Sequence, residues 1–506
     1  MKNLKKLLCM ILASLTLLSS AALFTGCGEA TDDPEVQETL SSDTNAESDT
    51  GEVDDRFVGV DYGDREFRIY TSNLGYGNMV TSNTLIEGSG EMGGGLVSDA
   101  VFTRNLTVEE MLGVELVFYQ CELSWGAIAP DIRKYTQSGD DEFDLVINDI
   151  YDYAELIIEG HFRNTLDEDC VFDFDRDYWY KDYMEDLRLM DGYQHILAGD
   201  FFIDVLRYGQ LLLVNKDLYY DYYRTSADEL YDVVSNYEWT YDRLTSIITD
   251  LYIDRDLDGA KTPGDQFGFA HCGYWGAVVP LVCSGTNNFI SRDEDGVPTI
   301  TIHEGDRANQ ITAAMTKLLN NENTSLDHGG GPLSVFVSGN ALVAGGVSLG
   351  SLETTDLRSM ESDAAVLPNP MLFASDRKYT TSTSDITEMG AILTTSTDLA
   401  FISTVIEVLN RETANILIPK YYKESLQVQC VDDEKAAAMI DIIHDNFDNA
   451  FILAYNHALN GQVLQAFSKA VEQKREFSAV YASSSKGVNK LLSNKITIYM
   501  KRNNVS

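Results

Sequence analysis

Basic residues are scarce in this chain: 37 Lys and Arg stand against 80 Asp and Glu, a formal net charge of −43. Nucleic-acid binding needs Lys and Arg to meet phosphates, so this balance argues against it. After one apolar stretch near the start, no run of membrane-spanning length recurs. A G-K-[ST] phosphate loop and an H-E-x-x-H metal helix are both absent. The seven Cys are scattered without C-x-x-C spacing, which speaks against a zinc site and makes a poor disulfide framework. Cys121, Cys170, Cys272, Cys283 and Cys430 read mostly as small buried hydrophobes. Only four Trp accompany 27 Tyr. That surplus of flat amphipathic rings suits a carbohydrate surface, though ordinary core and surface roles account for most of them.

The early apolar stretch has a definite order. Lys2, Lys5 and Lys6 form a basic start, Leu7 to Leu18 is apolar, and small residues follow. That is the pattern of a secretory signal, too short at its centre for a comfortable membrane span. Leu23-Phe24-Thr25-Gly26-Cys27 then resembles a bacterial lipobox. The resemblance implies cleavage after residue 26, a diacylglycerol on Cys27, and a protein held at the extracellular face of the cell membrane. Residues 27–56 contain no aromatic side chain and are crowded with Asp, Glu, Ser and Thr. Such a segment cannot bury enough apolar area to offset its ordering entropy and reads as a disordered acidic tether. The remaining residues, about 450, suit two lobes better than one core.

Beyond residue 57, strand and helix patterns alternate. Glu66–Tyr70, Val114–Tyr119, Phe143–Ile147, Leu211–Asn215, Phe267–Ala270, Ala341–Ala344 and Ala364–Leu367 read as strands. Asp99–Leu112 has helical periodicity stopped by Gly113, and a second helix is expected from about Trp125 to Gln137. Thr240 is an expected N-cap for a helix running to Tyr252. The C-terminal third is mainly helical, with helices over Leu399–Arg411, Asp433–His444 and Leu464–Arg475. This alternation predicts parallel sheets with crossover helices, whose ligands sit beyond the carboxyl ends of the strands. Residues 148–153, expected to be a loop leaving such an end, are therefore a candidate site.

Phe143-Asp144-Leu145-Val146, Tyr153-Ala154-Glu155-Leu156 and Gly160-His161-Phe162 resemble the extracellular solute-binding proteins of bacterial sugar ABC importers, of the maltose-binding-like type. Val214-Asn215-Lys216-Asp217-Leu218, Trp239-Thr240, Phe336–Leu342, Val366–Pro370 and Pro419–Tyr422 continue the likeness in order. The resemblance implies an α/β, two-lobed periplasmic-binding-protein-like (type II) fold with a helical C-terminal region. Lobe 1 would comprise residues 57–205 and 382–425, and lobe 2 residues 206–381 and 426–506. It also implies a monomer that captures a carbohydrate, presents it to ABC permease subunits and performs no chemistry on it. Three places would supply ligand contacts: Asn148, Asp149, Tyr151 and Asp152; Tyr274 and Trp275; and Asp200 with Arg207. The alternatives are a helix cap for Asp149, a packed hinge residue for Trp275 and a surface ion pair for Arg207. Val347 and Ser348 lie where the family often has an aromatic.

Two further motifs stand apart. Asp254, Asp256, Asp258 and Asp265 fall at positions one, three, five and twelve of a calcium-type loop, with Gly259 at six. The Ala260 carbonyl would serve at seven and Thr262 would hold a water, giving a structural Ca²⁺; an acidic turn is the plain alternative. Gly346-Val347-Ser348-Leu349-Gly350 is a G-x-S-x-G with His328-Gly329-Gly330-Gly331 upstream, the marks of a secreted serine esterase. Ser348 would be the nucleophile, with Asp385 and His444 or His457 completing the triad. Against it, the gap from oxyanion loop to elbow is too short for the helix and strand an α/β-hydrolase needs. A glycosidase needs only two placed carboxylates, and among 80 acids some pair is always at hand, so composition cannot support it.

Overall fold

Strand β1 (Arg65–Ser72) alternates inward Phe67 and Ile69 with outward partners and lies between two parallel neighbours. These are β2 (Val114–Cys121) and β3 (Leu145–Asp149), while β12 (Glu388–Ala391) returns antiparallel on β3 to give the order β12-β3-β1-β2. The second sheet has β4 (Gln210–Asn215) between β11 (Ala364–Pro368) and β10 (Ala341–Ser348), both antiparallel to it. Beyond β10 lie β6 (Gln266–His271), parallel to β10, then β5 (Tyr252–Ile253), with β9 (Ser325–Asp327) also parallel to β6. A small hairpin pairs β7 (Ile290–Arg292) with β8 (Pro298–Ile300). The sheets are mixed, not parallel throughout: β12 returns antiparallel in the first, and β4 and β5 run antiparallel to their neighbours in the second.

The computed structural model describes residues 55–504, apart from 73–81, 122–125, 286–287, 322–323, 329–330 and 428–433; of residues 55, 72, 82, 274, 275 and 423–427 it describes the backbone alone. Residues 56–506 group as one compact unit. Cys27 and the acidic segment 27–54 lie outside the described residues, as does Cys430. No described helix is long and apolar enough to cross a membrane.

Local chemistry explains most element boundaries. Helix α1 (Leu96–Leu112) ends where Gly113 adopts a left-handed φ of 60°, a conformation cheap only for glycine. Helix α2 (Ala129–Ser138) carries Pro130 in its first turn, where a missing N–H is harmless. Thr240 does cap the helix after it, accepting from Arg243 N at 3.3 Å. That helix, α4 (Tyr241–Ile248), stops four residues short of the expected end. Thr249 is already extended, Asp250 has a φ of 61°, and Tyr252 is captured by β6 as the short strand β5.

The expected loop over 148–153 is absent. Asn148 and Asp149 complete β3, and α3 (Ile150–Glu159) begins at the next residue. The cause is apolar: Tyr153, Ala154, Leu156, Ile157 and Ile158 all become buried once this stretch coils. In the C-terminal third, α6 (Leu399–Glu412), α8 (Glu434–His444) and α9 (Gln462–Glu472) fall close to their expected positions. Between α6 and α8, residues 413–417 form a π-helical turn that runs into α7 (Ile418–Gln427). A final helix, α10 (Ser485–Arg502), packs against α3 and β8. Cys121 and Cys283 are buried and Cys170 and Cys272 half-buried.

Candidate functional site

The carboxyl end of β3 gathers acidic groups. Asp149 faces Glu388 across the antiparallel β3–β12 register, and Asn148 faces Met389. Asp149 Oδ2 accepts the Gly126 backbone N–H at 3.2 Å, and Asp152 Oδ2 accepts that of Ala129 at 3.0 Å. Those two bonds fasten the start of α2 to the start of α3. Asp149 is only 2% exposed, and its second oxygen, Oδ1, is buried without a hydrogen-bond partner. Burial, against the pull of the Gly126 N–H and with help from Asp152, pushes this carboxyl up to about 6. A buried acceptor left unmatched is costly unless a ligand or water completes it.

Tyr151, half-buried in the first turn of α3, donates to or accepts from Nδ1 of the exposed His457 at 2.8 Å, with ring centroids 4.5 Å apart. Gly126 makes this approach possible: at its φ of 69°, an added Cβ would lie 3.1 Å from the Tyr151 ring. Burial and the nearby carboxylates Asp385, Asp152 and Asp149 raise the Tyr151 phenol, and burial likewise raises Asp385. Asp385 accepts from Ser384 Oγ at 3.4 Å. Asp385, Glu388, Gly126 and His457 were not assigned to this place from sequence. Only the β3–β12 pairing and the C-terminal chain path bring them there, and neither has a local signal.

In the second sheet, His271 and Asp327 end the parallel strands β6 and β9 side by side. His271 is 2% exposed, and its Nδ1 is buried without a partner. Burial lowers this imidazole's pKa, with Asp327 acting in the opposite sense. Helix α5 (Gly273–Gly285) starts here, so the backbone of Tyr274 and Trp275 sits at a strand's carboxyl end, as the topological rule expects; their side chains lie outside the described residues.

Asp200 and Arg207 belong to side-chain networks of their own, and the turn Asp204–Arg207 packs against β12. Arg207 is 1% exposed and forms a bidentate pair with Glu353, Nε–Oε1 and Nη2–Oε2 both 2.8 Å, plus a 2.6 Å contact to Asp204. Tyr421 adds a 2.6 Å bond to Glu353. Burial opposes the Arg207 charge, but Glu353 and Asp204 overcome it and hold the guanidinium protonated. Asp200 accepts from Tyr180 at 2.9 Å and lies 3.4 Å from His444 Nε2. Both residues are held in buried networks that join distant chain segments; Arg207 is ion-paired, but at a buried position and not at the surface as the alternative had it.

The esterase reading gains no geometric support. Ser348 ends β10, paired with Gln210 of β4, and caps the following turn reciprocally with Ser351. His444 bonds Asp445 and Asp200, while His457 bonds Tyr151. The candidate triad members are thus engaged with different partners, and residues 329–330 of the expected oxyanion segment lie outside the described residues.

In the calcium-type loop, Asp254, Asp256 and Asp265 bring carboxylate oxygens within 4.8 Å of one another. Asp258 does not join them; its Oδ1 accepts Ala260 N at 2.7 Å. Asp254 Oδ2 accepts Gly259 N at 2.9 Å, whereas Oδ1 is buried without a partner. Asp265, fully buried, accepts the backbone N–H of Arg255 at 3.0 Å and of Thr262 at 2.9 Å. The loop joins antiparallel β5 and β6, so a short strand enters it where a helix was expected.

No family model matches the sequence, and no curated protein sequence matches it. Solved structures do. An ABC substrate-binding protein of Listeria monocytogenes, solved in complex with cycloalternan, superimposes with a TM-score of 0.51 over 85% of this chain and 99% of its own, at 12% identity. The GacH receptor of Streptomyces glaucescens, solved unliganded and with acarbose and an acarbose homolog, gives 0.50 over the same shares at 10% identity. The chain has the solute-binding-protein fold. At that identity the likeness is one of architecture, and the mixed sheets with a helical C-terminal region agree with it.

Proposed function

We propose that this chain is the extracellular substrate-binding component of an ABC importer, capturing a sugar or oligosaccharide between two lobes without converting it. The observation that carries the reading is Asp149: a buried carboxylate whose Oδ1 lacks a partner, at the carboxyl end of β3 and beside Tyr151. A hydroxyl-rich ligand brings the donor that this acceptor lacks and a ring for Tyr151 to meet. The fold supports the same reading, since the two solved neighbours were captured with cycloalternan and acarbose. The lobes would be 57–205 with 382–425 and 206–381 with 426–506; what supports a two-lobe division is that the strands form two main sheets, one from 65–149 with 388–391 and one from 210–368. Closure on ligand would shift the population toward a form that permease subunits recognise. A lipid on Cys27 would hold the monomer at the outer membrane face. A melting-temperature screen over oligosaccharides tests the function: one saccharide should stabilise the protein and be recovered unchanged. Stabilisation by none, or recovery of a cleaved product, would sink it.

A structural Ca²⁺ in the 254–265 loop is a second, compatible reading. Asp254 favours it: its Oδ1 is a buried acceptor lacking a donor, and its carboxylate lies with those of Asp256 and Asp265. Asp254, Asp256 and Asp265 would be the side-chain ligands, with the Ala260 carbonyl as a further one.

A further inference from the structure

The C-terminal part of the chain inverts the charge of the whole. Between residues 463 and 506, eight Lys and Arg stand against Glu472 and Glu476 alone, in a protein whose formal charge is −43. Helix α10 organises part of that excess on one face. Lys486, Lys490, Ser493, Thr497 and Lys501 recur at helical spacing, and all are exposed; Arg502 flanks them. The opposite face, Val488, Leu492, Ile496 and Tyr499, is buried. From Lys486 to Lys501 the stripe runs about 22 Å. Among the described residues, no carboxylate pairs with Lys486, Lys490, Lys501 or Arg502, whereas Lys495, turned inward, is held by Glu155 at 2.6 Å.

The helix is firmly seated, so the stripe is a fixed feature of the surface. Asn489 exchanges two 2.9 Å hydrogen bonds with the backbone of Ile300, and the Tyr499 hydroxyl lies 3.0 Å from His195 Nε2. A rigid row of cations with no carboxylate partner among the described residues, on an acidic body, has a directional consequence. Near an anionic bilayer, a body of this charge is repelled over about a Debye length, and only a face with excess positive charge can approach closely.

We infer that the α10 stripe is a docking face for anionic phospholipid headgroups, setting which side of the protein meets the membrane. The inference rests on the reading that Cys27 brings the protein to a bilayer; its test uses no lipid anchor, so the two can fail separately. Each Lys or Arg at an anionic surface adds attraction that falls off within a Debye length. Two salt effects then oppose each other. At low salt the distant carboxylates repel the bilayer, and at high salt the stripe itself is screened.

The experiment is vesicle flotation of the chain from residue 27 onward with Cys27→Ser, using phosphatidylglycerol and phosphatidylcholine vesicles. Expected is retention about fivefold higher on phosphatidylglycerol, greatest near about 0.1 M salt and lost near about 1 M. K486E/K490E/K501E should abolish it with the melting temperature unchanged, and K317E/K435E should not. Should charge reversal unfold the protein, K486Q/K490Q/K501Q should still lower retention. Equal retention on the two vesicles, or retention surviving the triple substitution, overturns the inference. So does binding to a soluble polyanion, such as polyphosphate, with none to vesicles.

Discussion

The guanidinium of Arg207 meets the carboxylate of Glu353 edge to edge, with both nitrogen–oxygen distances at 2.8 Å. The two side chains are 2% and 8% exposed and lie 146 residues apart in sequence. Removing one partner of such a pair strands the other in a low-dielectric setting. Glu353→Ala is expected to cost about 3–5 kcal/mol in urea unfolding, more than its own packing accounts for. A loss below about 1 kcal/mol would mean the pair adds nothing that Asp204 alone does not.

His444 offers a stability change above neutral pH. Burial disfavours its charge, but Asp200 and Asp445 outweigh burial and push the imidazole up to about 9. Tyr180, Tyr422 and Asp441 also face it from the surrounding elements. A raised folded pKa contributes stability that is fully present below the unfolded value, about 6.5, and lost as pH climbs through about 9. The melting temperature of wild type should exceed that of His444→Gln most near about pH 6 and converge with it by about pH 9.5. Asp149 and Asp186, both pushed up to about 6, ionise below that window. A pH-independent difference would refute the assignment.

Asp149 acts in the same direction as His444 but at lower pH. Its raised pKa means that the folded state loses stability as pH rises through about 6 and the buried carboxyl ionises. Asp149→Asn should therefore be at least as stable as wild type at pH 7.5. The same variant should bind the carbohydrate found by screening about tenfold more weakly, the worth of one charge-assisted hydrogen bond. Calorimetry decides it; unchanged affinity would remove Asp149 from the site.

Calcium removal should be visible without any ligand. A chelator is expected to lower the melting temperature by the ordinary linkage of a ligand that binds only the folded state. Asp256→Ala is the informative variant, because Asp265 also fastens the backbone of Arg255 and Thr262. The variant should melt alike with and without chelator, and if wild type does too, the loop is an acidic turn.

Sequence by itself determined the elements whose causes are local. Gly113 stops α1 through a left-handed φ, Thr240 caps α4, and the apolar periods of α6, α8 and α9 mark helices close to where they form. It also carried the α/β class, since alternating strand and helix patterns leave few other ways to cover a sheet. Tertiary structure decided what depends on partners far along the chain. Residues 148–153 became strand end and helix because burying the apolar face of α3 outweighs a loop, and Tyr252 became a strand because β6 lay beside it. Glu353, far along the chain, gives Arg207 its buried ion pair, and Asp385 and His457 reached the end of β3 only through the return of β12 and the C-terminal chain. Such contacts form between segments hundreds of residues apart, where no local propensity acts and only packing selects the partner.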